Sequence, residues 1–153
     1  MKIEYIKGNL IEAPEPIIAQ GCNAQGVMGS GVAKAIRDKW PGVFPAYKGF
    51  INNAQSPLGM TNSVYVGNEE NHKMIFNLIT QKYYGRDGRR YVDYDAVRKC
   101  MRFVNKRAGM YSAWPHRVAM PKIGAGLGGG DWEIISKIIE EESTDFQPVV
   151  YEL

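Results

Sequence analysis

Ile17-Ile18-Ala19-Gln20-Gly21-Cys22-Asn23-Ala24-Gln25-Gly26-Val27-Met28-Gly29-Ser30-Gly31-Val32-Ala33-Lys34-Ala35-Ile36 is the stretch whose reading decides the fold. It opens as an apolar run entering Gln20–Asn23, the pattern of a buried strand that feeds a loop. Glycines then punctuate residues 24–31. Beyond them Val32, Ala33, Ala35, Ile36 and Trp40 keep to one side of a 3.6-residue period, Ser30 stands where a helix cap belongs, and Pro41-Gly42 stops the run. The order is strand, glycine-rich loop, helix.

The same order recurs downstream. Arg117–Met120 reads as a strand broken by Pro121 and leads into Gly124-Ala125-Gly126-Leu127-Gly128-Gly129-Gly130. Ile134, Ile135, Ile138 and Ile139 then mark one face of a helix capped by Asp131. Elsewhere, Ile3–Ile6 predicts a strand closed by the turn at Lys7-Gly8-Asn9. Ser63–Val66 and Met74–Ile79 predict two more strands around a polar turn, the second ending at Thr80-Gln81. Val97, Cys100, Met101 and Val104, following Asp93 or Asp95, predict a helix to about Gly109. Pro148–Tyr151 is a last strand. Strands alternating with helices predict one α/β domain over residues 1–153, a three-layer α/β/α sandwich around a mixed, mostly parallel central sheet.

Composition narrows the function classes. The 153 residues suffice for one domain with a proper core. Nineteen basic against 16 acidic residues leave a net charge of only +3, so no large field argues by itself for nucleic acid or a membrane, while a small anionic ligand fits. Cys22 and Cys100 lack the spacing of a zinc site or a disulfide framework. No signal-peptide pattern opens the chain, and no apolar run approaches the ~20 residues that span a bilayer. A soluble, cytoplasmic, monomeric protein without metal or cofactor is expected.

Two glycine-rich loops ahead of helices imply one design, in which bare backbone approaches a ligand and N–H groups at helix starts bind anions such as phosphate. Either loop alone could be only a tight turn, but two at carboxyl ends of one sheet meet over a single crevice. Neither is a P-loop, and Gly124, Gly126 and Gly129 match the dinucleotide spacing without the acidic residue that should follow. His72 and His116 fall in turn-like segments away from both loops and read as surface residues. Cys22 reads as a packing residue beside Asn23. Arg86, Arg89 and Arg90 form a small basic cluster in a glycine-containing loop, either a solvated turn or a phosphate or nucleic-acid contact.

Gln20 to Ala33 resembles the first ligand loop of macro domains, and Met120-Pro121-Lys122-Ile123-Gly124 to Asp131-Trp132 resembles the second. Lys7-Gly8-Asn9-Leu10 and Val150-Tyr151-Glu152-Leu153 are similar to that family's two ends, so the resemblance covers the whole chain. Asn77-Leu78-Ile79-Thr80-Gln81, with Tyr84-Gly85 and Tyr91-Val92-Asp93-Tyr94, is similar to a branch holding ADP-ribose-1''-phosphate phosphatases, a terminal ADP-ribose protein glycohydrolase and antitoxins that strip ADP-ribose from DNA. The resemblance implies ADP-ribose or a derivative as ligand, with ADP-ribosylated protein or DNA as possible partners. It places Asn23 on the distal ribose and has Gly29, Ser30, Gly31 and Val32 wrap that ribose and a phosphate. Gly124, Ala125, Gly126, Leu127, Gly128 and Gly129 would cover the diphosphate, Asn9 and Tyr151 would lie near adenine, and Leu10, Thr80, Gln81 and Lys122 would complete the ligand set.

Catalysis departs from the glycohydrolase pattern. Those enzymes carry a lysine after the Ile-Thr or Pro-Thr pair and an aspartate after the second loop's Gly-Leu, where this chain has Gln81 and Gly128. Lys82 comes one residue late, and a strand's alternation points it elsewhere unless the ladder bulges. Asp131, with Asn23, is the remaining catalytic candidate, able to orient or deprotonate a water besides capping its helix. The expected activity is hydrolysis of ADP-ribose-1''-phosphate. ADP-ribosyl glycohydrolysis of protein or DNA, and binding without catalysis, are the alternatives.

Overall fold

The computed structural model describes residues 1–110 and 116–153. Six strands, β1 (Glu4–Lys7), β2 (Ile17–Asn23), β3 (Thr61–Gly67), β4 (His72–Gln81), β5 (Arg117–Met120) and β6 (Gln147–Glu152), form one sheet in the order β1-β6-β5-β2-β4-β3. Among the described strands only β3 runs antiparallel, paired with β4 through the turn at residues 68–71. Helices α1 (Gly31–Lys39) and α2 (Val43–Asn53) cover one face, and α3 (Tyr94–Ala108) and α4 (Trp132–Glu142) the other. The mixed, mostly parallel sheet in a three-layer α/β/α sandwich is as expected from the strand and helix alternation.

The central strands are apolar on both faces because both are covered. On β2, Ile17 and Ala19 point to α3 and α4, while Ile18 and Cys22 point to α1 and α2. On β4, Phe76 and Leu78 alternate with Ile75 and Ile79 in the same way. Each of the isoleucines at 18, 36, 75, 79, 135 and 139 is completely buried, which stabilises the fold by about 1.5–3 kcal/mol apiece. Asp93 and Asp131 cap α3 and α4 by accepting from the backbone N–H of Ala96 at 2.9 Å and of Glu133 at 2.9 Å.

Three details differ from the sequence reading. Helix α2 stands where no element is assigned, with Pro45 inside it. In the first turn, however, no N–H bond is lost, and Val43 and Tyr47 bury fully beneath it. A 3-10 turn, Leu10–Glu12, follows Asn9, which caps it. His72 is not in a turn: it is the first residue of β4 and its ring stacks on Tyr65 at 5.7 Å. Among the described residues no helix is long and apolar enough to cross a membrane.

Candidate functional site

β5 and β2 are neighbours, yet β2 leads to α1 on one face and β5 to α4 on the other. Strands that part in this way leave a crevice at their carboxyl ends, the usual ligand position in such sheets. Both glycine-rich loops rise from this point.

The first loop is tied down by Asn23. Its carboxamide oxygen accepts from the N–H groups of Gln25 at 3.0 Å and Val27 at 3.2 Å and from the Tyr47 hydroxyl at 3.0 Å, while its amide donates to the Val27 carbonyl at 2.8 Å. Tyr47 also donates to the Asn23 carbonyl at 2.5 Å, and burial pushes its own phenol pKa upward. Asn23 is therefore first a loop anchor, with one amide hydrogen left over for a ligand. Ser30 occupies the cap position of α1 without a side-chain hydrogen bond, so its hydroxyl stays uncommitted.

The second loop owes most of its glycines to its own packing. Gly124 and Gly129 take positive φ, at 75° and 69°. A Cβ at Gly130 would meet Gly124 O at 2.9 Å, one at Gly128 would meet that atom at 2.8 Å and the Gln81 carboxamide at 3.1 Å, and one at Gly129 would collide with the Arg89 carbonyl. At Gly126 a Cβ would meet nothing within 4 Å, and φ is not positive. Gly29, in the first loop, is similarly free, with only Val27 Cγ1 at 3.9 Å. Among the described residues the N–H groups of Gly29, Ser30, Gly31 and Val32, and those of Gly124, Gly126, Leu127 and Gly128, make no hydrogen bond.

The floor lies at the end of β4. The ladder bulges at Thr80, since Cys22 pairs with Ile79 and Asn23 with Gln81. Thr80 itself is buried and its hydroxyl lacks a partner, so it underlies the crevice beside Gly21. Gln81 reaches toward Gly128 and donates to the Tyr83 carbonyl at 2.7 Å. Despite the bulge Lys82 is exposed, its ammonium 5.4 Å from the Tyr83 ring centre. The Cys22 thiol is also no nucleophile, because burial raises its pKa and keeps it protonated.

The remaining predicted positions fall into two groups. Asp131 is exposed at the start of α4 as its cap, its own N–H donating to the Tyr94 hydroxyl at 3.1 Å, and Ala125 and exposed Leu127 sit in the second loop. Beyond β1, Asn9 spends its carboxamide oxygen on Ile11 N at 3.1 Å and Leu10 is buried in the core. Tyr151 donates to the buried Glu15 carboxylate at 2.6 Å, and burial together with that bond pushes its pKa up to about 12. Lys122 pairs with Glu152 at 2.6 Å. The sequence reading missed Tyr47 as the buttress of Asn23, because α2 was unassigned.

The family model of the macro domain matches residues 19–139, the span from β2 through both loops to α4. The chain belongs to the macro domain family. This macro domain is 29% identical over 140 residues to a DNA ADP-ribosyl glycohydrolase of Thermus aquaticus, a match spanning 91% of the chain but only 37% of that relative's length. It is 38% identical over 72 residues to an ADP-ribose 1''-phosphate phosphatase of Neosartorya fischeri, covering 46% of the chain and 36% of the relative. The macrodomain of Thermus aquaticus DarG superposes with a TM-score of 0.82 at 26% identity, covering 99% of this macro domain and 98% of that chain. The named relatives are hydrolases acting on ADP-ribose derivatives, which supports a hydrolase here.

Proposed function

We propose that the crevice binds ADP-ribose through its diphosphate and distal ribose and hydrolyses ADP-ribose-1''-phosphate to ADP-ribose and phosphate. One observation carries this function: two rows of unspent backbone N–H groups, one in each loop, at the carboxyl ends of neighbouring strands. Such groups suit anionic oxygens, and fixed donors around a phosphate stabilise the charge that develops when it is attacked. The water oxygen bonds to phosphorus, the bond from phosphorus to the 1''-oxygen breaks, and a proton ends on that oxygen. Asn23 and Gln81 supply neutral amides at the crevice floor, and Asp131 is the carboxylate available to take the water's proton.

A lysine adduct is disfavoured by position, because Gln81 holds the place after Thr80 and Lys82 is exposed beside Tyr83. Glycohydrolysis of ADP-ribosylated DNA is the second function, favoured by the Thermus aquaticus relative that matches 91% of the chain. Phosphate release from ADP-ribose-1''-phosphate, measured beside Gly126→Glu, tests the first. Wild type should turn over and the variant should not. No release above the variant would overturn the phosphatase, and loss of label from ADP-ribosylated single-stranded DNA would then establish the second. Tight ADP-ribose binding with no turnover of either substrate would instead mark a binding module.

A further inference from the structure

Between Gln81 and Val92, which face each other in a single antiparallel bridge, residues 82–90 leave the sheet as an arch. The arch is fastened to both ligand loops. The Gly128 carbonyl accepts from Tyr91 N at 2.7 Å and Val92 N at 3.0 Å, and the Gln25 side chain donates to the Lys82 carbonyl at 2.9 Å. Within the arch, Asp87 accepts from the Tyr91 hydroxyl at 2.8 Å and pairs with Arg89 at 3.1 Å, and Gly85 lets the Tyr91 ring lie against the backbone.

Its charge sets it apart from the rest of the chain. Lys82, Arg86, Arg89 and Arg90 against the single Asp87 give the arch +3, which is the net charge of the whole chain, so the remaining residues sum to zero. The one acid is already neutralised by Arg89, and Arg86 has no ion-pair partner among the described residues. Tyr83 and Tyr84 stand 57% and 54% exposed, large apolar area that a solvated turn has no reason to show. Arg90 extends the patch over the Tyr94 ring, 4.7 Å from its centre.

We propose that this arch is a docking rim for single-stranded nucleic acid, with Tyr83 and Tyr84 as stacking platforms for unpaired bases and Arg86 and Arg90 as phosphate contacts. Exposed rings interleaved with basic side chains are how strands are held without sequence readout. A duplex hides its base faces, and an acidic peptide engages the arginines but leaves the tyrosines idle. The rim borders the crevice, so a strand lying on it passes the place where a group attached to ADP-ribose emerges. Only this last relation rests on the proposed function; the docking surface stands by itself.

Fluorescence anisotropy with a labelled thymidine oligomer of about ten nucleotides, a length within the usual site size, tests the proposal at low salt. Tyr83→Ala/Tyr84→Ala should weaken binding at least about tenfold, the loss expected from one or two stacked bases. Arg86→Ala/Arg90→Ala should weaken it too and make the dependence on log salt shallower by about 1.4, or about 0.7 for each phosphate released. ADP-ribose affinity by calorimetry should be unchanged in both variants, showing an intact crevice. Equal oligomer binding by wild type and variants would overturn the proposal, as would equally tight binding of the matching duplex or of polyglutamate. If the oligomer binds as expected while ADP-ribose does not bind at all, the arch stands and the proposed function falls.

Discussion

Gly126→Ala separates what the fold demands from what a ligand demands. At this position φ is not positive and an added Cβ meets no atom within 4 Å, so alanine costs the folded state nothing. It does restrict the unfolded chain, and such substitutions stabilise by about 0.4–1 kcal/mol. For a domain of this size that raises the melting temperature by about 1–4 °C. With a diphosphate seated against the loop, the same methyl has no room, and overpacking of that kind costs about 1–3 kcal/mol. ADP-ribose should therefore bind about 5-fold to 150-fold more weakly to a protein that is slightly more stable. Calorimetric titration and a thermal melt on the same preparation read both numbers. Affinity within twofold of wild type would show that no ligand lies against Gly126, and a melting temperature lowered by more than about 4 °C would refute the backbone reasoning.

Gly129→Ala should behave oppositely, because φ is 69° and its Cβ runs into the Arg89 carbonyl; urea unfolding should show a loss of about 2–4 kcal/mol. Asn23→Ala removes the acceptor for Gln25 N and Val27 N, while the Tyr47 hydroxyl keeps the main-chain carbonyl, so it should cost about 1–3 kcal/mol in the same assay and weaken ADP-ribose binding. Alkaline pH should destabilise the protein through its thiols. Burial raises the pKa of Cys22 and pushes that of Cys100 from 9.0 up to about 12, so the folded state keeps protons that the unfolded chain releases. That stability is complete below pH 9 and falls above it by about 1.4 kcal/mol per thiol per unit, until the folded thiols ionise in turn. The urea midpoint should fall between pH 8 and pH 10 in wild type and fall by less in Cys22→Ala/Cys100→Ala; an equal fall in the variant, or a wild-type midpoint independent of pH, would exclude thiol burial as the cause.

Most of the architecture was legible because it is written in periodicities that tertiary packing enforces. Arg117–Met120 matches its strand end to end, and the isoleucines at 134, 135, 138 and 139 sit on a helix capped by Asp131. Helix α2 was not read from residues 43–53, where Pro45 is tolerated because it falls in the first turn. The site was legible as two loops but not as a division of labour within them. That Gly124, Gly128, Gly129 and Gly130 serve the loop's own packing, while Gly126 faces open space, depends on Arg89, Val92 and Gln81, which are distant in the sequence. The bulge at Thr80 likewise needs the register against β2, and no local pattern announces it.

Asn23 and Tyr47 hold the first loop in its final shape without help from a ligand. A visitor to this crevice meets a mould that has already set, so little of its binding energy is diverted into freezing chain segments. Association should then be limited by diffusion and alignment rather than by waiting for a loop to close, and affinity differences among related ligands should appear in how slowly they leave.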